Sequence, residues 1–75
     1  MNNLRQFTAI IEKEGEQFFA LCPELDIASQ GETVEKARYN LLEALQLFFE
    51  SASDKEILER VNNEVFITRL DITVG

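Results

Sequence analysis

Cysteine and the carboxylates are the residues in this chain with the capacity for chemistry, and their surroundings limit both. Cys22 is the sole cysteine, and there is no histidine. A cysteine nucleophile needs a base or a cation to generate its thiolate, and histidine is the usual base. Cys22 ends the run Gln17-Phe18-Phe19-Ala20-Leu21 and precedes Pro23, so it reads as a core residue. The same counts exclude an intrachain disulfide and a histidine-based metal site. No catalytic residue and no cofactor is assigned.

The acids are more numerous. Glu12, Glu14 and Glu16 alternate, and Glu24, Asp26 and Glu32 follow. With Glu35 they put seven acids in residues 12–35 against one base, Lys13. Most of the net charge of −7 resides there. Three readings stand side by side: a solvated hairpin tip, a docking patch for a basic protein, and a site for a hard cation such as Mg²⁺. A hard cation needs converging carboxylates, and flexible glutamates at a hairpin tip rarely converge. The spacing of an EF-hand is absent, and no metal is assigned. Glu12, Glu14, Glu16, Glu24, Asp26 and Glu32 are the candidate partner-binding residues.

Other chemistries lack their motifs. There is no glycine-rich phosphate loop and no serine nucleophile elbow. Arg38, Arg60 and Arg69 are isolated, and each reads as solvated or salt-bridged. Six phenylalanines without basic residues around them make no stacking platform for bases. With 14 acids against 7 bases and a pI near 4.4, the chain is repelled overall by the phosphates of nucleic acid and by anionic membranes. The charge serves solubility alone, or it fits a basic protein, its natural complement.

The elements that must position these residues can be read from periodicity. Residues 4–13 carry Phe7, Ala9 and Ile11 on one parity and read as a strand. Glu14-Gly15-Glu16 is a turn, and residues 17–22 form a second strand that Pro23 ends. Residues 26–30 form a short third strand, stopped by Gly31. Val34, Ala37, Leu41, Leu45, Phe48 and Ala52 then recur every three or four positions, widened by Leu42 and Phe49. They mark a helix of about 20 residues with Thr33 at its N-cap, ending at Ser51–Ser53. Asp54 would cap a second short helix reaching Glu59 or Arg60. After the turn Asn62-Asn63, residues 64–74 alternate again, with Phe66, Leu70, Ile72 and Val74 on one parity. The order is β-β-β-α-(α)-β, a two-layer α+β domain with one long helix packed on a mostly antiparallel sheet.

At 75 residues and 8.6 kDa, a single domain spans 1–75 and buries only about 60% of the surface of its unfolded chain. One helix covers one face of the sheet, yet the first two strands carry apolar residues on both parities: Ile10 and Ile11, Phe18 and Phe19. Surface of that kind marks an interface. Self-association into a homo-oligomer is expected, with Phe66, Ile67, Leu70, Ile72 and Val74 of the last strand as candidate interface residues. No apolar run reaches the ~18 residues needed to span a bilayer. No basic N-terminal segment precedes a long apolar one, and a lone free cysteine fits a reducing compartment. A cytoplasmic location follows as an expectation.

The stretch Phe7 to Glu50 resembles the HicB-like antitoxin family. The resemblance rests on the acidic glycine turn, on Ala20-Leu21-Cys22-Pro23-Glu24-Leu25, on Ser29-Gln30-Gly31-Glu32-Thr33, and on Ala37, Asn40-Leu41, Glu43-Ala44 and Leu47. It implies a truncated RNase H-like fold without that fold's catalytic carboxylates. It also implies a partner, a small basic HicA-like toxin that cleaves mRNA and is neutralised when its RNA-binding surface is covered. Two features depart from the family pattern. Asp26-Ile27 stands where many relatives have Pro-Gly. The chain also ends at Gly75, where many relatives continue into a DNA-binding domain, so operator binding by this chain is not expected. The alternative function is a stand-alone oligomeric scaffold, or a small-molecule-sensing module, with no toxin partner.

Overall fold

The computed structural model describes residues 5–61 and 63–75. Leu4, at the start of the expected first strand, and Asn62, half of the expected turn, lie outside the described residues. Among the described residues, three strands form one antiparallel sheet in the order β1-β2-β3: β1 (Ile10–Glu14), β2 (Gln17–Cys22) and β3 (Ile27–Gly31). Two helices follow, α1 (Val34–Ser51) and α2 (Asp54–Val61). The α+β architecture matches the expectation. The expected last strand does not form within the chain. Residues 63–75 join no ladder, and they are exposed along their length.

Gly15 sets the hairpin. Glu14 pairs with Gln17 across a turn of Gly15 and Glu16. Gly15 sits at φ +64°, a left-handed conformation that costs a residue without a Cβ little. Residues flanking a two-residue turn exchange ladder hydrogen bonds, and bonded pairs then alternate along the strands. Glu14–Gln17, Glu12–Phe19 and Ile10–Leu21 are therefore the bonded pairs of β1 and β2. The backbone groups of Ile11 and Lys13 point the other way, off the free edge of β1. The alternation carries across β2, whose Phe18, Ala20 and Cys22 bond to Gly31, Ser29 and Ile27. Ala28 and Gln30 then face the free edge of β3.

The same parity divides the faces. Ala20 and Cys22 are fully buried beneath α1, joined by Leu25, Ala37, Leu41 and Leu45. Phe7, Ile11, Phe18, Ile27, Phe48, Phe49 and Val61 pack around them. Phe48 and Phe49 of the apolar helix stripe lie at this core's margin, with Phe49 against Phe7 at 5.6 Å between ring centroids. On the opposite face, Phe19 and Leu21 remain exposed beside Ile10 and Ala28. That is the two-sided apolar character read from the sequence.

α1 begins where expected. Thr33 is extended, and its hydroxyl accepts from the Lys36 N–H at 3.0 Å. The start of the helix lies hard against Gly31, where a Cβ would stand 2.6 Å from the Ala37 nitrogen. The Asn40 amide donates to the Gln30 carbonyl at 2.8 Å. Both contacts hold α1 chiefly over β3, and it overlies β1 least. The cap of α2 differs from the expectation. Ser53, not Asp54, accepts the Glu56 N–H at 3.2 Å, and its hydroxyl lies 3.3 Å from the Glu56 carboxylate. Ser53 is therefore the N-cap, and Asp54 becomes the first residue of the helix, favoured there by its dipole.

Candidate functional site

The six candidate carboxylates do not form one patch. The register puts Glu12, Glu14 and Glu16 at and near the hairpin tip. Gly31 lies opposite Phe18, so Glu32 emerges at the same end of the sheet, with Glu35 just beyond it at the start of α1. All five side chains are exposed. The nearby cations are Lys13, which lies over the Phe18 ring at 5.9 Å, and Lys36, which pairs with Glu32 at 3.8 Å on the exposed surface. Such exposed pairs are worth little, so the end stays electronegative.

Glu24 and Asp26 lie at the opposite end, in the turn between β2 and β3. Glu24 is engaged within the chain. Its carboxylate accepts the Thr8 N–H at 3.1 and 3.2 Å, the Thr8 hydroxyl at 2.6 Å and the Cys22 thiol at 3.4 Å. Burial pushes the Glu24 carboxyl up, but the bonds from Thr8, from its own backbone and from Cys22 outweigh it and hold the group below its ordinary value. Asp26 bends the chain at φ +54°, a conformation aspartate tolerates better than most residues. Leu25, between them, is fully buried. The segment Cys22-Pro23-Glu24-Leu25 is thus a structural clasp, and Glu24 and Asp26 are set apart from the acidic tip.

Cys22 behaves as the core residue read from its neighbours. It is fully buried and free of any disulfide. Its thiol pKa is raised, first by burial and further by the Glu24 carboxylate beside it. That is the opposite of the shift a reactive thiol needs. Arg60, read as solvated or salt-bridged, instead donates to the Leu25 carbonyl and lies over the Phe48 ring at 5.4 Å. Tyr39 is exposed beside the helix stripe.

Four of the five candidate interface residues are the most exposed large apolar side chains among the described residues. Phe66 is 87%, Leu70 80%, Ile72 75% and Val74 90% accessible, all on one parity, and Ile67 is half accessible on the other. A second apolar surface lies beside the free edge of β1. There the Phe7–Ala9 segment and the α1 residues Arg38, Leu41, Leu42 and Leu45 bound a cleft of about 100 Å³. The sequence marked Leu42 as part of the helix stripe, but not that 44% of its surface stays uncovered. None of the described residues groups as a cation-binding cluster, and no described helix is long and apolar enough to cross a membrane. Comparison with family models, with curated proteins and with solved structures finds no match to this chain.

Proposed function

We propose that this chain is an antitoxin-like binding protein and not an enzyme. It acts as a homo-oligomer in the cytoplasm and sequesters a small basic protein of the HicA type that cleaves mRNA. The acidic end covers the cationic surface that the toxin uses to grip RNA, so partner and RNA compete for the same charges. The observation that carries this reading is the convergence of Glu12, Glu14, Glu16 and Glu32 on one end of the sheet, all exposed. The HicB-like segments between Phe7 and Glu50 support it from the sequence side. The truncated RNase H-like frame belongs to the same proposal.

The test is recovery of the tagged chain from its native host at low and high salt, with the co-purified protein identified and assayed. A small basic ribonuclease, inhibited by this chain and released by salt, is the expected result. The triple variant E12K/E14K/E16K should fold normally and lose it. Equal binding by that variant would overturn the docking surface. The exposed apolar arm favours a second reading, a stand-alone oligomeric module, because self-association needs no toxin. Recovery of self-associated chain alone would select that reading.

A further inference from the structure

We infer that residues 65–74 are the missing strand of a second copy's sheet, each copy laying its arm along the free β1 edge of the other. This rests on the self-association in the proposed function and is independent of any toxin.

The arm is built as a strand, and among the described residues it has no ladder partner. Phe66, Leu70, Ile72 and Val74 share one parity with Thr68, while Val65, Ile67, Arg69, Asp71 and Thr73 occupy the other, which is polar from Arg69 onward. That alternation suits a strand with one face covered and one in water. Here the apolar parity stands in solvent. The chain measures 51 × 28 × 19 Å with a radius of gyration of 14.6 Å, against about 11 Å for a compact chain of this length.

The sheet has two free edges, and they are not equivalent. On β3, the Gln30 carbonyl that faces outward is already taken by the Asn40 amide, and α1 closes over Gly31. On β1, the outward groups belong to Ile11 and Lys13, and no described side chain takes them. The Thr8 N–H supports this assignment of parity, since it turns inward to Glu24. The β1 edge and the segment before it, residues 5–14, match the arm in length. Beside that edge, α1 leaves the cleft bounded by Phe7, Ala9, Leu42 and Leu45. An added strand would place its apolar parity against this cleft and its polar parity outside. Strand addition supplies the main-chain bonds, and the cleft supplies the side-chain fit. The arm and its acceptor lie on the same chain, so two copies satisfy each other in a closed pair.

Sedimentation equilibrium of the full chain should give a dimer, twice 8.6 kDa. Isotope-filtered NMR on a mixture of labelled and unlabelled chains then locates the arm. Methyl contacts from Leu70, Ile72 and Val74 of one copy to Leu42 and Leu45 of the other are the expected result. Lys13→Pro removes an outward N–H from the acceptor edge, and Leu70→Asp charges the arm. Each should weaken the dimer by at least about tenfold while the far-ultraviolet spectrum is retained. A monomer whose arm folds onto its own edge would overturn both the exchange and the self-association. A dimer whose contacts lie instead on the Phe19–Leu21 face would overturn the exchange and keep the self-association.

Discussion

The Glu24 carboxylate accepts both the N–H and the hydroxyl of Thr8, sixteen positions earlier in the chain. This pair ties the segment entering β1 to the turn that joins β2 and β3. The sign of its pH dependence follows from the direction of the shift. Glu24 is held below its ordinary value of 4.5, so the unfolded chain binds more protons than the folded one as the medium becomes acidic. The stabilisation is fully present above about pH 4.5 and is lost as pH falls through the lowered folded value. Hydrogen bonds to a charged group contribute about 1.5–3 kcal/mol. Glu24→Gln should therefore cost about that much in urea denaturation at pH 7, and the deficit should shrink below pH 4.5. A deficit independent of pH would mean that Glu24 acts by packing alone.

Two glycines should respond to alanine for different reasons. Gly31→Ala drives a Cβ to 2.6 Å from the Ala37 nitrogen and 2.8 Å from the Lys36 carbonyl carbon. Backbone is on the receiving side, so α1 must lift from β3, at about 1–3 kcal/mol. Gly15→Ala meets nothing within 4 Å, but its φ is +64°. The cost there is conformational, about 1–2 kcal/mol. Near-ultraviolet circular dichroism separates the two. Gly31→Ala should perturb the packing of Phe18 against the helix, while Gly15→Ala should lower the melting temperature and leave that spectrum alone.

The hairpin and α1 were legible because local rules and tertiary structure agree there. Gly15 permits the turn, and the 3.6-residue stripe of Ala37, Leu41 and Leu45 is the face that is buried. The cap of α2 shifted by one residue because Ser53 and Asp54 are adjacent and both are competent caps, and only geometry chooses between them. Glu24 was grouped with the acidic tip because composition reports charge and not donors. The Thr8 contact joins residues that nothing in the local sequence connects. The alternation of 64–74 states that one face of a strand must be covered, but not by which chain. The two free edges could not be ranked either, since that depends on Asn40 reaching Gln30 across ten positions.

Cys22 should resist thiol reagents in the native state. It is fully buried, and both burial and the neighbouring Glu24 carboxylate disfavour the thiolate. Reaction with an aromatic disulfide reagent at pH 8 should be at least about a hundredfold slower than for an unfolded peptide, since it requires opening of the sheet. The rate should rise with urea along the unfolding curve. Glu24→Gln should accelerate it, because the variant removes a nearby negative charge and loosens the clasp. Rapid labelling of the folded chain would contradict the assignment of Cys22 to the core.

Arg60 should govern the arm from outside it. α2 has no fully buried residue, and its hold on the domain is the half-buried Val61 together with Arg60. The Arg60 guanidinium donates to the carbonyl of the buried Leu25 and lies 5.4 Å from the Phe48 ring centroid. Arg60→Ala removes both contacts, at about 1–2 kcal/mol. Lysine restores the charge but not the planar fork, so Arg60→Lys should recover only part of the loss. Ser53→Ala should cost about 1 kcal/mol through the cap. Because these contacts join α2 alone to the rest, hydrogen exchange should quicken through Asp54–Val61 and stay unchanged in α1 and the sheet. The arm begins four positions after Val61, so a loosened α2 would widen the directions from which it can depart. Arg60→Ala should therefore weaken self-association although residues 65–74 are intact. An unchanged dimer with a frayed α2 would show that the arm finds its acceptor edge without guidance from its root.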